Sequence, residues 1–322
     1  MKVQQGASQP AMPFAALRES DGTQQPYLLA SRAPQRYSPL AIWHLLSLDA
    51  PSVTAVWTVF IAYCSHVAIP WSETSAVFLA VWIIYAADRL LDSHPVAALH
   101  TNFLEERHHF HRYYRRAFLA CIVAASIALA FLLRFVNRRD LLLYALLGAL
   151  LSAWLLLIHI QPLLRVDLRL PKELAVGVFF AAAVCVPTVA RAPNWELALL
   201  PCSFLVYVVS ALNCFCIYAW ENSGAHQPSH WTTRWSISHI PQIVMAIVGL
   251  AMLVVWLSSR RLMRFSGLDL ITPAIASALS ALLLLALHKF RQRLTAIHLR
   301  ACADLALLTP LLLLPGLRLA SR

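Results

Sequence analysis

The sequence predicts an all-α polytopic membrane protein with about nine transmembrane helices. Three observations lead there. Hydrophobic residues fill 60% of the 322 positions and charged residues only 13%, with a mean hydropathy of +0.65, outside the range of soluble globular chains. Apolar runs long enough to cross a bilayer recur from about residue 51 to the C-terminus. The remaining charges gather in segments between those runs, where they set orientation.

Taken in order, residues 1–37 are rich in Gln, Ser and Pro and hold no continuous apolar stretch. They read as a polar, disordered cytoplasmic tail, and no signal peptide is expected. Residues 38–322 read as a single membrane domain. The stretch SPLAIWHLLSL at 38–48 suits a short interfacial helix ahead of the first span. Spans are expected near 51–70, 72–92, 117–136, 140–160, 172–190, 195–220, 240–258, 269–288 and 300–317. Several open on cap or breaker chemistry: Asp49 with Pro51, Ser72, Asp140, Pro171, Asn194 and Asp269.

Lys and Arg are more numerous in the alternate segments that share a side with the tail. The expected orientation is N-in, in an inner membrane of the bacterial type. The two longest connections, 93–116 and 221–239, then lie on the cytoplasmic side. Four helices separate them, which suggests an internal duplication with both halves contributing to one site. The net charge of +11 would suggest nucleic acid in a soluble protein. Here orientation and anionic lipid headgroups account for it, and no nucleic-acid partner is expected. The seven cysteines form no CxxC pair and predict neither a disulfide framework nor a zinc site.

The most informative stretch is VWIIYAADRLLDSHP, 81–95, where an apolar run closes on Asp88 and Asp92 with Arg89 between them. Four residues apart on a helix, the two carboxylates share a face at about 6 Å. A helix C-terminus carries partial negative charge, so acids there are unfavourable unless something offsets them. The placement recurs where VSALNCFCIYAWENSGAH ends the sixth run, with Asn213 inside the apolar stretch and Glu221 and Asn222 at its end. Three acids at two helix ends on one side suggest a bound cation. Hard oxygen donors with room for water point to magnesium, held by Asp88, Asp92 and Glu221.

Asp88-Arg-Leu-Leu-Asp92, a DxxxD ending the second of nine helices, resembles the first aspartate-rich motif of the UbiA-type intramembrane prenyltransferases. Asn213, Glu221 and Asn222 stand where that family carries its second motif. LPKELAVGVFF resembles the family's Lys ahead of a Gly-containing helix, which makes Lys172 a candidate for gripping a diphosphate. The resemblance implies a UbiA-like helical bundle, with an active site facing the cytoplasm. The implied activity is magnesium-dependent transfer of an isoprenyl group from its diphosphate to a lipophilic acceptor. Asp88, Asp92 and Glu221 would hold metal, Arg89, Lys172, Asn213 and Asn222 would assist with substrate, and Tyr85 with Trp82, Tyr63, Tyr207 and Tyr218 could offer aromatic faces to an allylic cation. Two features depart from the family pattern: Ile84 and Tyr85 stand where an Asn–Asp pair is usual, and Ile217 where a carboxylate is expected. They leave open a UbiA-like fold without catalytic activity.

The loop HTNFLEERHHFHRYYRR, 100–116, concentrates His108, His109 and His111 with four arginines. Inside the prenyltransferase reading it is a cap whose Arg107, Arg112, Arg115 and Arg116 help hold phosphate; otherwise it is a basic loop against headgroups. A membrane di-iron oxygenase is the alternative class, using these histidines with His94, His100, His226, His230 and His239. Pro228 interrupts the helix that would align His226 with His230. A transporter fits less well, because the acids stand at helix ends rather than at the midplane. Asp304 is expected to pair with Arg300, one helical turn before it.

Overall fold

The computed structural model describes residues 37–92, 106–160, 172–192, 196–221, 230–260 and 268–314, and from Ser38 onward they belong to one compact unit. Every regular element among the described residues is helical. Seven helices are long and apolar enough to cross a membrane, or eight if one bent pair counts as a single span. The chain is an integral membrane protein.

The bent pair is α1 (Pro39–Leu45) and α2 (Asp49–Cys64), which meet at 91°. Ser38 caps α1 by accepting from the Ala41 amide at 3.2 Å, and Pro39 follows at the first helical position, where its missing N–H costs nothing. Two residues past Leu45, the chain turns at Ser47, whose φ of 59° lies in the left-handed region and breaks helical continuity. A short helix therefore stands where one was expected, and it contacts the final helix through Ser38 Oγ and His298 Nε2 at 2.8 Å.

The longer helices follow as α3 (Trp71–Asp92), a short α4 (Glu106–Tyr113), α5 (Arg115–Leu132), α6 (Arg138–Ile160), α7 (Lys172–Arg191) and α8 (Glu196–Glu221). Then come a short α9 (Trp231–Ser238), α10 (Ile240–Ser259), α11 (Ile271–Phe290) and α12 (Ala296–Leu305), the last continued by a 3-10 turn. Each apolar run read as a span overlaps a helix. Among the described residues, however, α2 qualifies as a span only together with α1, and α6 is not among the seven. The start of α6 is Arg138, two residues ahead of Asp140. Asn137 caps it instead, its side-chain oxygen accepting from the Arg139 amide at 3.0 Å. Asp269 caps α11 as expected, accepting from the Ile271 amide at 2.9 Å and the Thr272 hydroxyl at 2.5 Å. Pro171, Asn194 and the loop residues 93–105 lie outside the described residues.

The core is formed by α2, α7, α8, α10, α11 and α12, with Trp57, Phe60, Leu205, Leu212 and Leu284 fully buried. A smaller cluster of Ala86, Leu90 and Phe118 joins α3 to α5 beside it. On α5, Leu119, Val123, Ile127 and Phe131 are exposed at four-residue spacing, the stripe expected of a helix that faces lipid.

At Gly177, α7 packs closely against α8. A Cβ built on Gly177 would stand 2.8 Å from the Tyr207 carbonyl oxygen and 3.1 Å from Ala211 Cβ. Small residues let membrane helices approach this closely, and backbone cannot yield as a flexible side chain can. Gly177→Ala is expected to destabilise the protein by about 1–3 kcal/mol, the cost of overpacking. Thermal unfolding in detergent checks this, and an unchanged midpoint would contradict it.

Candidate functional site

The site is built at the elbow between α1 and α2, where the turn at Ser47 swings the last residues of α1 over the first residue of α2. His44 Nδ1 donates to Asp49 Oδ2 at 2.5 Å, a role fixed by the carboxylate, which accepts. The Ala50 amide donates to Asp49 Oδ1 at 3.0 Å. From α3, Arg89 spans the elbow: Nη1 donates to the His44 carbonyl at 2.7 Å and Nη2 to Asp49 Oδ2 at 3.2 Å. Tyr85, one turn earlier, lies flat beneath the guanidinium, with its ring centroid 4.7 Å from Cζ. Asp49 is 0% exposed and Arg89 5%, so this ion pair is sealed in the bundle.

The network continues into the second half of the chain. One ligand atom each from His44, Asp49 and Asp304 lies within 4.8 Å of the others, which brings α12 against the elbow. Asp304 Oδ1 accepts from Asn213 Nδ2 of α8 at 3.0 Å. One turn before Asp304, Arg300 forms an ion pair with Glu221, the last residue of α8. Arg300 and Asp304, expected to pair along their own helix, each hold a partner on α8.

The consequence is geometric. Arg89 belongs to the DRLLD stretch of α3, and Asn213 and Glu221 belong to the polar stretch of α8. Arg89 reaches Asp49 and Asn213 reaches Asp304, two acids that lie side by side, while Glu221 reaches Arg300 one turn before Asp304. Both helix ends therefore meet one polar cluster at the same end of the bundle. Counting about 1.5 Å per residue, Asn213 lies roughly 12 Å inside the end of α8, and Asp304 about the same depth inside the start of α12.

Other expected site residues gather near this end. Asp88 is exposed beside the buried Arg89, and Tyr85 is half-buried. Asp92 is the last residue of α3, and Lys172 is the first of α7, exposed. The neighbouring Glu173 accepts from Thr233 of α9 at 2.8 Å, which draws the start of α7 to the same end. Arg112 is exposed on α4, which also carries Arg107, and α4 is tied to the elbow by His111 Nε2 and Ser47 Oγ at 3.3 Å. Asn222, His94, His100 and His226 lie outside the described residues.

The histidines whose side chains are described, which exclude His108 and His109, are spread over separate contacts. His111 stacks near Phe118, His230 caps α9, His239 contacts the Trp235 carbonyl and His288 accepts from Trp220. The one group of three metal-capable side chains among the described residues contains a single histidine, His44. Its carboxylate Asp49 already receives three donors, so the group is an ion-paired scaffold rather than an open coordination site.

Sequence reasoning passed over His44 and read Asp49 only as a helix start. The available signal was a charge-balance argument: an arginine inside an apolar run needs an acid, and HLLSLD places one at the head of the preceding helix. In comparisons with known proteins, no family model, no curated protein and no solved structure matches this chain.

Proposed function

We propose that the chain is a magnesium-dependent intramembrane prenyltransferase of UbiA type, with nine crossings. It would move an isoprenyl group from its diphosphate to a lipophilic acceptor on the cytoplasmic side. The observation that supports this is the convergence of the ends of α3 and α8 on one polar cluster. The buried Arg89–Asp49 ion pair ties the end of α3 to α2, and Arg300 ties the end of α8 to α12. Asp49 and Asp304 lie side by side between them, and the same end carries basic residues.

The donor set fits the metal. Asp88, Asp92 and Glu221 supply hard carboxylate oxygens, and two of them are exposed at helix ends where magnesium can keep its waters. These three would hold the ion, which supplies neutralisation of the diphosphate charge as the bond to the isoprenyl carbon breaks. Arg300 shares Glu221, so the guanidinium balances that carboxylate and limits how freely it turns. Lys172, Arg112 and Arg107 would grip phosphate oxygens, with Asn222 assisting. Arg89 and Asn213 act as positioning residues: Arg89 fixes the last turns of α3 against the elbow, and Asn213 fixes Asp304. Tyr85 presents one face to Arg89.

The test is binding of a non-hydrolysable farnesyl thiodiphosphate to the detergent-purified full chain, with and without magnesium. Magnesium-dependent binding is expected, weakened about tenfold or more by Asp88→Asn or Asp92→Asn, a loss of roughly 1.4 kcal/mol or more. Binding that ignores magnesium, or that survives both substitutions, would overturn the reading.

A further inference from the structure

A second buried charge cluster lies at the far end of the same bundle. Glu73 lies in the first turn of α3, Asp140 in the first turn of α6, and Arg191 closes α7. Arg191 forms an ion pair with Glu73 Oε1 and donates from Nη1 to Asp140 Oδ2 at 2.9 Å. The Asn137 amide donates to Glu73 Oε1 at 3.3 Å. Glu73 is 2% exposed and Asp140 0%. Glu73 lies sixteen residues before Arg89 on one helix, which separates the two clusters by roughly 24 Å.

Charge and hydrogen bonding both leave this cluster incomplete. Two carboxyl groups contact one guanidinium, so with both ionised the group carries a net negative charge away from water, a costly state. Glu73 Oε2 and Asp140 Oδ1 are fully buried with no hydrogen-bond partner among the described residues. The two carboxyl groups are also brought side by side, one on each terminal nitrogen of the Arg191 guanidinium. Two ionised carboxylates have no proton to place between them, and like charges so close repel. A single added proton corrects both faults: it removes the excess charge and supplies a donor between two acceptor-only groups.

We propose that Glu73 and Asp140 form a one-proton binding site, in which the pair takes up a single proton from the membrane face opposite the DRLLD end and shares it beside Arg191. Binding is H⁺ plus the dianionic pair giving the monoanionic pair, and the guanidinium then balances the remaining charge. The neighbouring titratable groups do not serve as the donor. Tyr144 on α6 gives its hydroxyl proton to the Ala183 carbonyl at 3.0 Å, and Cys185 on α7 engages Ser203 at 3.2 Å. Arg134, Arg138, Arg139 and His66 are exposed. Loss of the proton would set α3 against α6 by repulsion, so the site couples the protonation of one membrane face to the packing of the helix that carries the opposite cluster. This inference stands apart from the prenyltransferase reading.

Infrared spectroscopy of the full-length protein in lipid nanodiscs tests it, because a protonated carboxyl has a carbonyl stretch that a carboxylate lacks. At neutral pH the wild type is expected to show such a band. Glu73→Gln and Asp140→Asn should each abolish the same component, and the double variant should remove no more than either single one. Asp304→Asn, at the opposite end, should leave that component in place. A wild type without any protonated-carboxyl band at neutral pH would overturn the proposal without recourse to variants. So would two components lost separately by the two substitutions. Loss of the band on adding sodium chloride at fixed pH would show a metal cation as the occupant instead, and would also overturn it.

Discussion

Arg89→Ala is expected to destabilise the protein by about 3–5 kcal/mol, the range for removing one partner of a buried ion pair. The substitution leaves Asp49 sealed at 0% exposure with its charge uncompensated, and it strips the His44 carbonyl of a 2.7 Å donor. Arg89→Lys should fall between wild type and alanine. A lysine ammonium is a single compact charge, and the two contacts of Arg89 diverge from a planar fork. Chemical or thermal denaturation in detergent, followed by loss of helical signal, gives the comparison. If Arg89→Ala were as stable as wild type but no longer bound isoprenyl thiodiphosphate, Arg89 would be a substrate contact rather than a positioning residue.

Trp57→Ala is expected to cost a similar amount, about 3–5 kcal/mol. Trp57 is 1% exposed, sits edge-on to Phe60 at 5.7 Å and donates from its indole to the Leu307 carbonyl at 2.8 Å. It lies two turns after Asp49, and Leu307 lies one turn after Asp304. This single side chain therefore sets the separation of α2 and α12 on which the Asp49–Asp304 juxtaposition depends. Trp57→Phe keeps most of the buried area and loses the hydrogen bond, for which about 0.5–1.5 kcal/mol is expected. A phenylalanine variant as damaged as the alanine variant would mean that the hydrogen bond, not the packing, holds the two helices.

Local and periodic signals carried the fold. Continuous apolar runs gave each long helix, because a lipid-facing segment must satisfy its backbone internally and shows this as length and composition. Boundary chemistry was legible where one side chain acts on its own chain, as at Asp269. It was not legible at Ser38, and α3 begins at Trp71 ahead of Ser72. It slipped at α6, where Asn137 outcompeted Asp140 because the aspartate is drawn inward to Arg191. The candidate site was half legible. The acids at the ends of α3 and α8 stand out because they oppose the helix dipole. The pairs that join them do not, since Arg89 finds Asp49 across 40 residues and Asn213 finds Asp304 across 91. Separations of that size are set by tertiary packing and leave no spacing rule in one sequence. Arg300 illustrates the limit: its nearest acid along the helix is Asp304, yet it reaches Glu221 on another element.

The most direct measurement is a double-mutant cycle on magnesium-dependent thiodiphosphate binding, using Asp92→Asn, Glu221→Gln and the two combined. If the ends of α3 and α8 serve one metal–diphosphate site, each single substitution weakens binding. The double variant should then lose less than the summed effects, with a coupling of about 0.5–3 kcal/mol. Strictly additive losses, or a Glu221→Gln variant that binds like wild type, would contradict a shared site and leave the convergence of the two helices a matter of folding alone.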